Sequence, residues 1–207
     1  MASVHFLSSD GLWLQGRYQP GPGRSGAVIC HPHPEYGGSM DDAVVRTVEA
    51  AFRDHTYATL AFNFRGVGGS EGSFAQGVGE RNDVLGAIAF LAKSLGGTPG
   101  LLALAGHSFG AGVAAHVAAE DPRVGLYVGI APPCAFHDFR FLASATCRLA
   151  FIAGSQDDLC DLVVLRRLAA ELPGAPTIRV VGLDHFFSGQ HREMAEAIGA
   201  ILAANDE

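Results

Sequence analysis

Apolar runs of strand length alternate with amphipathic segments of helix length along most of this chain. Two segments near the start, Val4–Leu7 and Leu12–Tyr18, are typical of β-strands. The apolar runs that follow predict further strands at Ala27–Cys30, Ala58–Phe64, Leu101–Ala105, Val124–Ile130, Leu149–Ala153 and Thr177–Val181. The segments with helical spacing are Met40–Phe52, Asp83–Leu95, Phe109–Ala119, Leu162–Leu172 and Glu193–Leu202. Because the later strands are apolar on both faces, the pattern predicts a three-layer α/β domain over residues 1–207, with a mostly parallel sheet of about eight strands.

The composition is typical of one folded domain. The chain has 207 residues, of which 48% are apolar and 17% charged, and this length buries a full core without disulfides or metals. The net charge is −7, and the 14 Lys and Arg residues are scattered, with no run longer than Arg166-Arg167. An acidic chain without a basic stripe argues against nucleic acid or an anionic membrane as the main partner.

The cysteines and the N-terminal segment indicate where the protein works. Cys30, Cys134, Cys147 and Cys160 have no Cys-x-x-Cys spacing and lie in or beside apolar runs. They are typical of small buried side chains in a reducing compartment, although an even number also permits two disulfides. The first residues lack a basic n-region and a long apolar stretch, and the apolar stretch 101–119 is interrupted by histidines and glycines. We therefore expect a cytoplasmic protein without a signal peptide or membrane span.

The predicted strand Leu101–Ala105 runs into the sequence Gly106-His-Ser-Phe-Gly110 and then into a predicted helix. This is the G-x-S-x-G pattern in a strand–turn–helix context, where the serine occupies a strained turn and the glycines let strand and helix approach closely. The helix N-terminus points at this turn, so the backbone amide of Phe109 is placed to hold a developing oxyanion. The pattern predicts a nucleophilic Ser108; a tight glycine-rich turn with an incidental serine is the alternative.

A nucleophilic serine needs a base, and the base needs an orienting acid. The fifth of the later predicted strands leads into Gly-Ser-Gln-Asp157-Asp158, and the sixth leads into Gly-Leu-Asp-His185. Since open α/β sheets bind ligands outside the carboxyl ends of their strands, these side chains are expected to converge with Ser108. The sequence therefore presents Ser, Asp and His in that order, each just beyond a strand.

This order resembles that of the α/β-hydrolase superfamily, and the resemblance extends over essentially the whole chain. It implies that Ser108 is the nucleophile, Asp157 the acid and His185 the base. The family's acid usually lies three residues after a glycine at the strand end, which favours Asp157 over Asp158. The alternative role of Asp158 is charge compensation at the N-terminus of the next helix. Asp184 is less suited, because it directly precedes the histidine it would have to orient.

The loop after the first of these later strands resembles the oxyanion loop of a group of short bacterial hydrolases. It reads His31-Pro-His-Pro-Glu-Tyr36. By position, the resemblance implies that the backbone amide of His33 is the other oxyanion donor, because Pro32 and Pro34 carry no N–H. A backbone amide further along, near Tyr36, is the alternative.

Metal and nucleotide sites are weaker interpretations of the same sequence. The pair His31-x-His33 could chelate zinc, but this would need further ligands at other strand ends. The segment Asn63–Gly72 is similar to the family's D-x-R-G-x-G-x-S loop, with Asn63 where Asp is usual, and Arg65 is expected to be structural. No Gly-Lys-Ser/Thr of a P-loop occurs, and a G-x-G-x-x-G match at 21–26 opens no helix. We expect no metal and no cofactor.

Relatives often insert a lid between the strands that correspond to Val124–Ile130 and Leu149–Ala153. Here only residues 131–148 lie between them, with room for one short helix around Phe136–Ala143. The resemblance therefore implies a hydrolase without a cap domain.

An enzyme without a cap is expected to have a shallow, open pocket, walled by loop residues such as Tyr36, Phe74, Phe136 and Phe186. His116, within the helix after Ser108, is expected to be packed rather than catalytic. We predict a carboxylesterase-like serine hydrolase that cleaves small acyl esters, with no particular oligomeric state indicated. A thioesterase, a peptidase, a dienelactone-type hydrolase or a non-catalytic binding protein on the same scaffold stays open, because the fold alone does not choose among them.

Overall fold

Eight strands form one sheet in the computed structural model, which describes residues 2–204. The strands are β1 (Ala2–Leu7), β2 (Trp13–Gln19), β3 (Gly26–Cys30), β4 (Ala58–Phe62), β5 (Leu102–His107), β6 (Leu126–Ile130), β7 (Arg148–Ala153) and β8 (Thr177–Val180). The helices are α1 (Ala43–Asp54), α2 (Glu80–Ser94), α3 (Phe109–Glu120), α4 (Leu162–Glu171) and α5 (His191–Ala203). The predicted α/β architecture is confirmed, and every predicted strand and long helix has a counterpart within a few residues.

The strand order places a topological switch point in the middle of the sheet. The order is β1-β2-β4-β3-β5-β6-β7-β8. Strand β2 is antiparallel to both of its neighbours, β1 and β4, and the strands from β3 to β8 are parallel to one another. From β3 the chain returns through α1 to β4 on one side, then crosses through α2 to β5 on the other. Because such crossovers are right-handed, α1 and α2 lie on opposite faces. The crevice between the carboxyl ends of β3 and β5 is where such sheets bind ligands.

The core lies on both faces of the central strands. Every residue of β3, β4, β5 and β6 is buried, which explains why their sequences are apolar without alternation. On one side α1 packs against α5, and elsewhere α2 packs against α3. The four cysteines are free thiols, and three of them are buried. Within residues 2–204 no helix is long and apolar enough to cross a bilayer.

Helix boundaries differ from the predicted ones where side chains form caps. The helix predicted from Met40 begins at Ala43, because the Asp42 carboxylate accepts hydrogen bonds from the amides of Val44 and Val45. Helix α4 is capped in the same way by Asp161. The role at this N-terminus that the sequence suggested for Asp158 is therefore filled by Asp161.

The segment between β6 and β7 is short, as expected, and the structure has no cap domain there. The helix predicted around Phe136–Ala143 is a 3-10 helix at Arg140–Ser144, displaced towards the C-terminus. The carboxyl ends of β3, β5, β7 and β8 are therefore left uncovered by any inserted domain, and their loops define the site.

Candidate active site

Ser108 occupies the sharp turn between β5 and α3. Its backbone has φ 54° and ψ −118°, a conformation that residues other than glycine rarely adopt. The turn is held by the Ser108 amide, which donates to the carbonyl of Ile130 at 2.9 Å. The strained turn projects the Ser108 side chain into a cavity at the carboxyl ends of the strands. This is the geometry predicted from the G-x-S-x-G pattern.

The two glycines of the pattern are required by close backbone contacts. A Cβ on Gly106 would lie 2.4 Å from the carbonyl oxygen of Gly110. A Cβ on Gly110 would lie 2.4 Å from the carbonyl oxygen of His31 and 2.6 Å from that of Cys30. Any larger residue would force β3, β5 and α3 apart, so glycine at both positions sets the distance between the turn and the loop after β3.

The structure brings Ser108, His185 and Asp157 into one hydrogen-bonded chain. The Nε2 of His185 lies 2.8 Å from the Oγ of Ser108, and its Nδ1 lies 2.8 Å from the Oδ2 of Asp157. A carboxylate accepts only, so Nδ1 carries the imidazole proton and Nε2 is free to accept the serine proton. His185 and Asp157 are buried, while Ser108 is partly exposed. The arrangement has the connectivity of a nucleophile, a base and an orienting acid.

Asp157 is held in its charged form by more than the histidine. Burial alone would raise the pKa of Asp157, but the hydrogen bonds with His185 and with two backbone amides keep it below its usual value. Its Oδ1 accepts from the amides of Leu159 and Cys160, each at 2.9 Å. Asp158 is exposed and makes no hydrogen bond through its side chain within the described residues. The geometry therefore favours Asp157 over Asp158 as the partner of His185.

The loop after β3 lies against the first turn of α3. A short 3-10 helix, Pro34–Tyr36, follows His33, whose ring centroid lies 4.9 Å from that of Phe109. In the part of the chain that the structure describes, the backbone amides of His33 and Phe109 donate to no other atom. Both are thus available as donors beside Ser108, which is the position predicted for the oxyanion site.

His31 braces the same loop and is not free to bind a metal. Its Nδ1 lies 2.6 Å from the carbonyl oxygen of Pro32, and its Nε2 accepts from the amide of Phe64 at 3.0 Å. Burial lowers the pKa of His31 to about 4, so the ring is neutral. No group of three or more potential metal ligands occurs in residues 2–204. Both ring nitrogens are occupied by backbone groups, which argues against the zinc interpretation of His31-x-His33.

The loop after β4 is fixed by buried polar side chains. Asn63 accepts from the amide of Met40 and donates to the side chain of Gln15, both at 2.8 Å. Arg65 forms ion pairs with Asp83 at 2.7 Å and Asp10 at 2.9 Å. Neither residue lines the cavity beside Ser108. Arg65 is therefore structural, as expected, and Asn63 links the loops that follow β3 and β4.

A cavity of about 450 Å³ opens beside Ser108. Of the predicted wall residues, Tyr36 lines it, but Phe74, Phe136 and Phe186 do not. Phe136 and Phe186 both lie on loops and point to solvent, with exposed fractions of 69% for Phe136 and 63% for Phe186. The structure does not bring Phe136 and Phe186 to the cavity, and loop sequence gives no information on side-chain direction.

The walls of the cavity come from α3, from the first turn of α2 and the loop before it, and from the segment between β6 and β7. Arg81 of α2 and His116 of α3 both line it, so His116 is not simply packed inside its helix. Sequence reasoning missed these two residues. The only available signal was spacing, since Phe109, Val113 and His116 recur on one face of a helix.

Comparisons with known proteins agree with this geometry. The family described as "Serine aminopeptidase, S33" matches residues 24–155. A protein of Rickettsia prowazekii is 32% identical over 98% of this chain and 89% of its own length. A putative α/β hydrolase from Agrobacterium tumefaciens is 30% identical, with a TM-score of 0.88 over 99% of this chain and 96% of that one. A lid-less α/β serine hydrolase from Xanthomonas campestris, XC6422, is 30% identical, with a TM-score of 0.84 over 95% and 91%.

Proposed function

This chain belongs to the serine aminopeptidase S33 family of hydrolases, and from that membership we propose that it cleaves esters of small carboxylic acids through an acyl-enzyme on Ser108. The observation that carries the proposal is the hydrogen-bonded chain from Ser108 through His185 to Asp157, at 2.8 Å for each step. Ser108, the first member of this hydrogen-bonded series, lines a cavity large enough for a small acyl group.

In the first step His185 takes the proton of the Ser108 hydroxyl as its oxygen attacks the acyl carbon. The serine Oγ–C bond forms, and the carbonyl π-electrons move onto oxygen, where the amides of His33 and Phe109 receive the charge. Asp157 keeps the imidazole in the tautomer that accepts at Nε2 and stabilises the imidazolium. As the carbonyl double bond re-forms, the ester C–O bond breaks, and the imidazolium gives its proton to the leaving alkoxide.

In the second step a water molecule repeats the attack on the acyl-enzyme. His185 accepts the water proton, the same two amides hold the oxyanion, and the proton returns to Ser108 as the acid leaves. Apart from the ester and water, these steps use side chains and amides of the chain itself.

The charges of the cavity favour esters over peptides with a free N-terminus. An aminopeptidase has to recognise a protonated amine, which requires an unpaired carboxylate near the nucleophile. Among the residues that line the cavity, the one carboxylate is that of Asp138. Its two oxygens accept from Arg140 Nε and Nη2 at 2.8 to 3.1 Å. Asp138 is already paired, so an amine would have to compete with Arg140 for it.

The test is titration of the purified protein with a fluorophosphonate probe and location of the adduct by peptide mass spectrometry. We expect one equivalent of label at Ser108 and none on Ser108→Ala. Parallel assays with 4-nitrophenyl esters and aminoacyl 4-nitroanilides are expected to show turnover of the esters and little of the anilides. Folded protein that takes no label, or undiminished esterase turnover in Ser108→Ala, would contradict the proposal.

A further inference from the structure

The cavity beside Ser108 extends along one face of α3. The lining residues Phe109, Gly112, Val113 and His116 recur at the spacing that places side chains on one side of a helix. His116 is eight residues beyond Ser108, which corresponds to about 12 Å along the helix axis. The cavity is therefore a groove with Ser108 at one end and His116 at the other. A bound acyl chain is expected to follow this direction.

Arg81 also lines the groove and has no acidic partner among residues 2–204. It lies in the first turn of α2, is partly buried, and its Nε donates to the carbonyl of Gly77 at 3.3 Å. Three other arginines, in contrast, form ion pairs with buried carboxylates within residues 2–204: Arg17, Arg65 and Arg123. A cation withdrawn from water without a counter-ion is unfavourable, so its remaining donors are available to an anion in the groove.

His116 adds a second polar group at the end of the groove far from Ser108. Its ring stacks on that of Phe141, with centroids 4.0 Å apart and planes 5° apart. Burial and the nearby Arg81 charge lower the pKa of His116, while Glu120 opposes them, and the ring is neutral at pH 7. It has no hydrogen-bond partner among the described residues. A neutral imidazole can donate to an anion without adding another desolvated charge.

Acidic groups nearby do not neutralise the positive charge of Arg81. Asp138 also lines the groove but is held by Arg140, and Glu120 lies exposed on α3. The unpaired charge that faces the groove is therefore the guanidinium of Arg81. In a chain with a net charge of −7, this makes the groove locally opposite in sign to the protein as a whole.

We propose that Arg81 and His116 form an anion-binding subsite, so that the preferred substrates are esters whose acyl chain carries a carboxylate at its far end. This inference rests on the proposed function, because it places the scissile ester at Ser108. A carboxylate suits the site, since the planar guanidinium binds both oxygens at once. An extended eight-carbon diacid separates its two carboxyl carbons by about 9 Å, which covers most of the roughly 12 Å between Ser108 and His116 along the axis of α3.

The experiment compares two esters of equal length, 4-nitrophenyl octanoate and mono-4-nitrophenyl suberate. We expect Arg81→Gln to lower kcat/KM for the suberate ester about tenfold, mainly through KM, and to change the octanoate value by less than about twofold. Arg81→Lys is expected to recover part of the loss. The matched control is Arg166→Gln, which makes the same charge change on the exposed face of α4 and is expected to alter neither ester. An equal effect of Arg81→Gln on both esters would overturn the inference.

A binding measurement separates this inference from the proposed function. Calorimetry with Ser108→Ala and monoethyl suberate measures the subsite without turnover. Binding that Arg81→Gln weakens about tenfold in this background supports the subsite even if neither nitrophenyl ester is cleaved, in which case only the proposed function fails. If Arg81→Gln does not weaken the binding of monoethyl suberate, the subsite is overturned even if Ser108 is a working nucleophile. The same holds if ethyl octanoate, which lacks the second carboxylate, binds as tightly as monoethyl suberate.

Discussion

The Nε2 of His107 lies 3.0 Å from the backbone carbonyl oxygen of His185. A carbonyl only accepts, so His107 donates from Nε2. Burial lowers the pKa of His107 to about 4, and its Nδ1 has no hydrogen-bond partner within residues 2–204. The two imidazole rings also pack with centroids 5.2 Å apart. His107, the residue before Ser108, thus holds the backbone of the loop after β8 at His185 and so helps to position the His185 side chain relative to Ser108.

Replacement of His107 is expected to misplace the base without dismantling the fold. His107→Phe keeps a ring of similar volume but removes the donor to the His185 carbonyl. We expect kcat to fall about 10- to 100-fold, with a smaller change in KM. His107→Gln retains an N–H donor at a similar distance from the backbone and is expected to recover much of the rate. Equal losses in both variants, or a fall in melting temperature that matches the loss of rate, would show that the hydrogen bond does not position His185.

Asp157 and Asp158 provide a matched pair for testing the acid. Asp157→Asn leaves the shape intact but places an amide against His185 Nδ1, which favours the wrong imidazole tautomer. We expect kcat to fall about ten-thousand-fold. Asp158→Asn makes the same chemical change on an exposed neighbour and is expected to leave kcat within about twofold of the parent. Comparable losses in the two variants, measured with one 4-nitrophenyl ester, would reopen the assignment.

The elements that the sequence predicted best are those determined by neighbouring residues alone. The strands β3 to β6 are buried on both faces, so their apolar runs predict them directly. Ser108, Asp157 and His185 could be placed together because each follows a strand, and parallel strands end at the same edge of the sheet. The chain order then distinguished the site from an accidental serine in a glycine-rich turn.

The features that the sequence did not predict depend on contacts between distant segments. Met40 was expected inside α1, but its amide donates to the side chain of Asn63, which holds it in a turn. The groove walls were missed because Arg81 and His116 meet only when α2 packs against α3. Periodicity identifies a helix face but not which helix lies opposite, and loop residues such as Phe136 carry no periodicity at all.

Glycine at position 110 is expected to be indispensable, whereas glycine two residues later is not. In Gly110→Ala the new Cβ would lie 2.4 Å from the carbonyl oxygen of His31. The backbone must move, so we expect a loss of at least about 3 kcal/mol in the free energy of unfolding, or no folded protein. In Gly112→Ala, on the same helix, the Cβ has one neighbour, a Phe139 ring atom at 3.9 Å. That variant is expected to gain up to about 1 kcal/mol.

Urea unfolding of the two glycine variants beside the parent protein measures both effects. A Gly110→Ala protein as stable as the parent would show that the turn and the loop after β3 can separate freely. A Gly112→Ala protein that loses stability would indicate that the groove wall is more tightly packed than the structure shows.

Two buried neutral histidines are expected to make the protein sensitive to mild acid. Burial lowers the pKa of both His31 and His107 to about 4, whereas an unfolded histidine titrates near 6.5. Below pH 6.5 the unfolded chain therefore binds protons that the folded protein does not. Stability present at pH 7 is lost as the pH falls towards 4, by about 2 kcal/mol for each imidazole between pH 7 and pH 5.

This acid sensitivity can be assigned to one residue by comparing slopes rather than absolute stabilities. The free energy of unfolding in urea is measured between pH 7 and pH 5, above the range in which carboxylates dominate. His31→Gln is expected to be less stable at pH 7 but to lose about 2 kcal/mol less than the parent over that interval. His5→Gln removes an exposed imidazole on β1 and is expected to keep the parent slope. A slope unchanged by His31→Gln would mean that His31 takes up its proton without unfolding the chain, and that the loop after β3 opens locally instead.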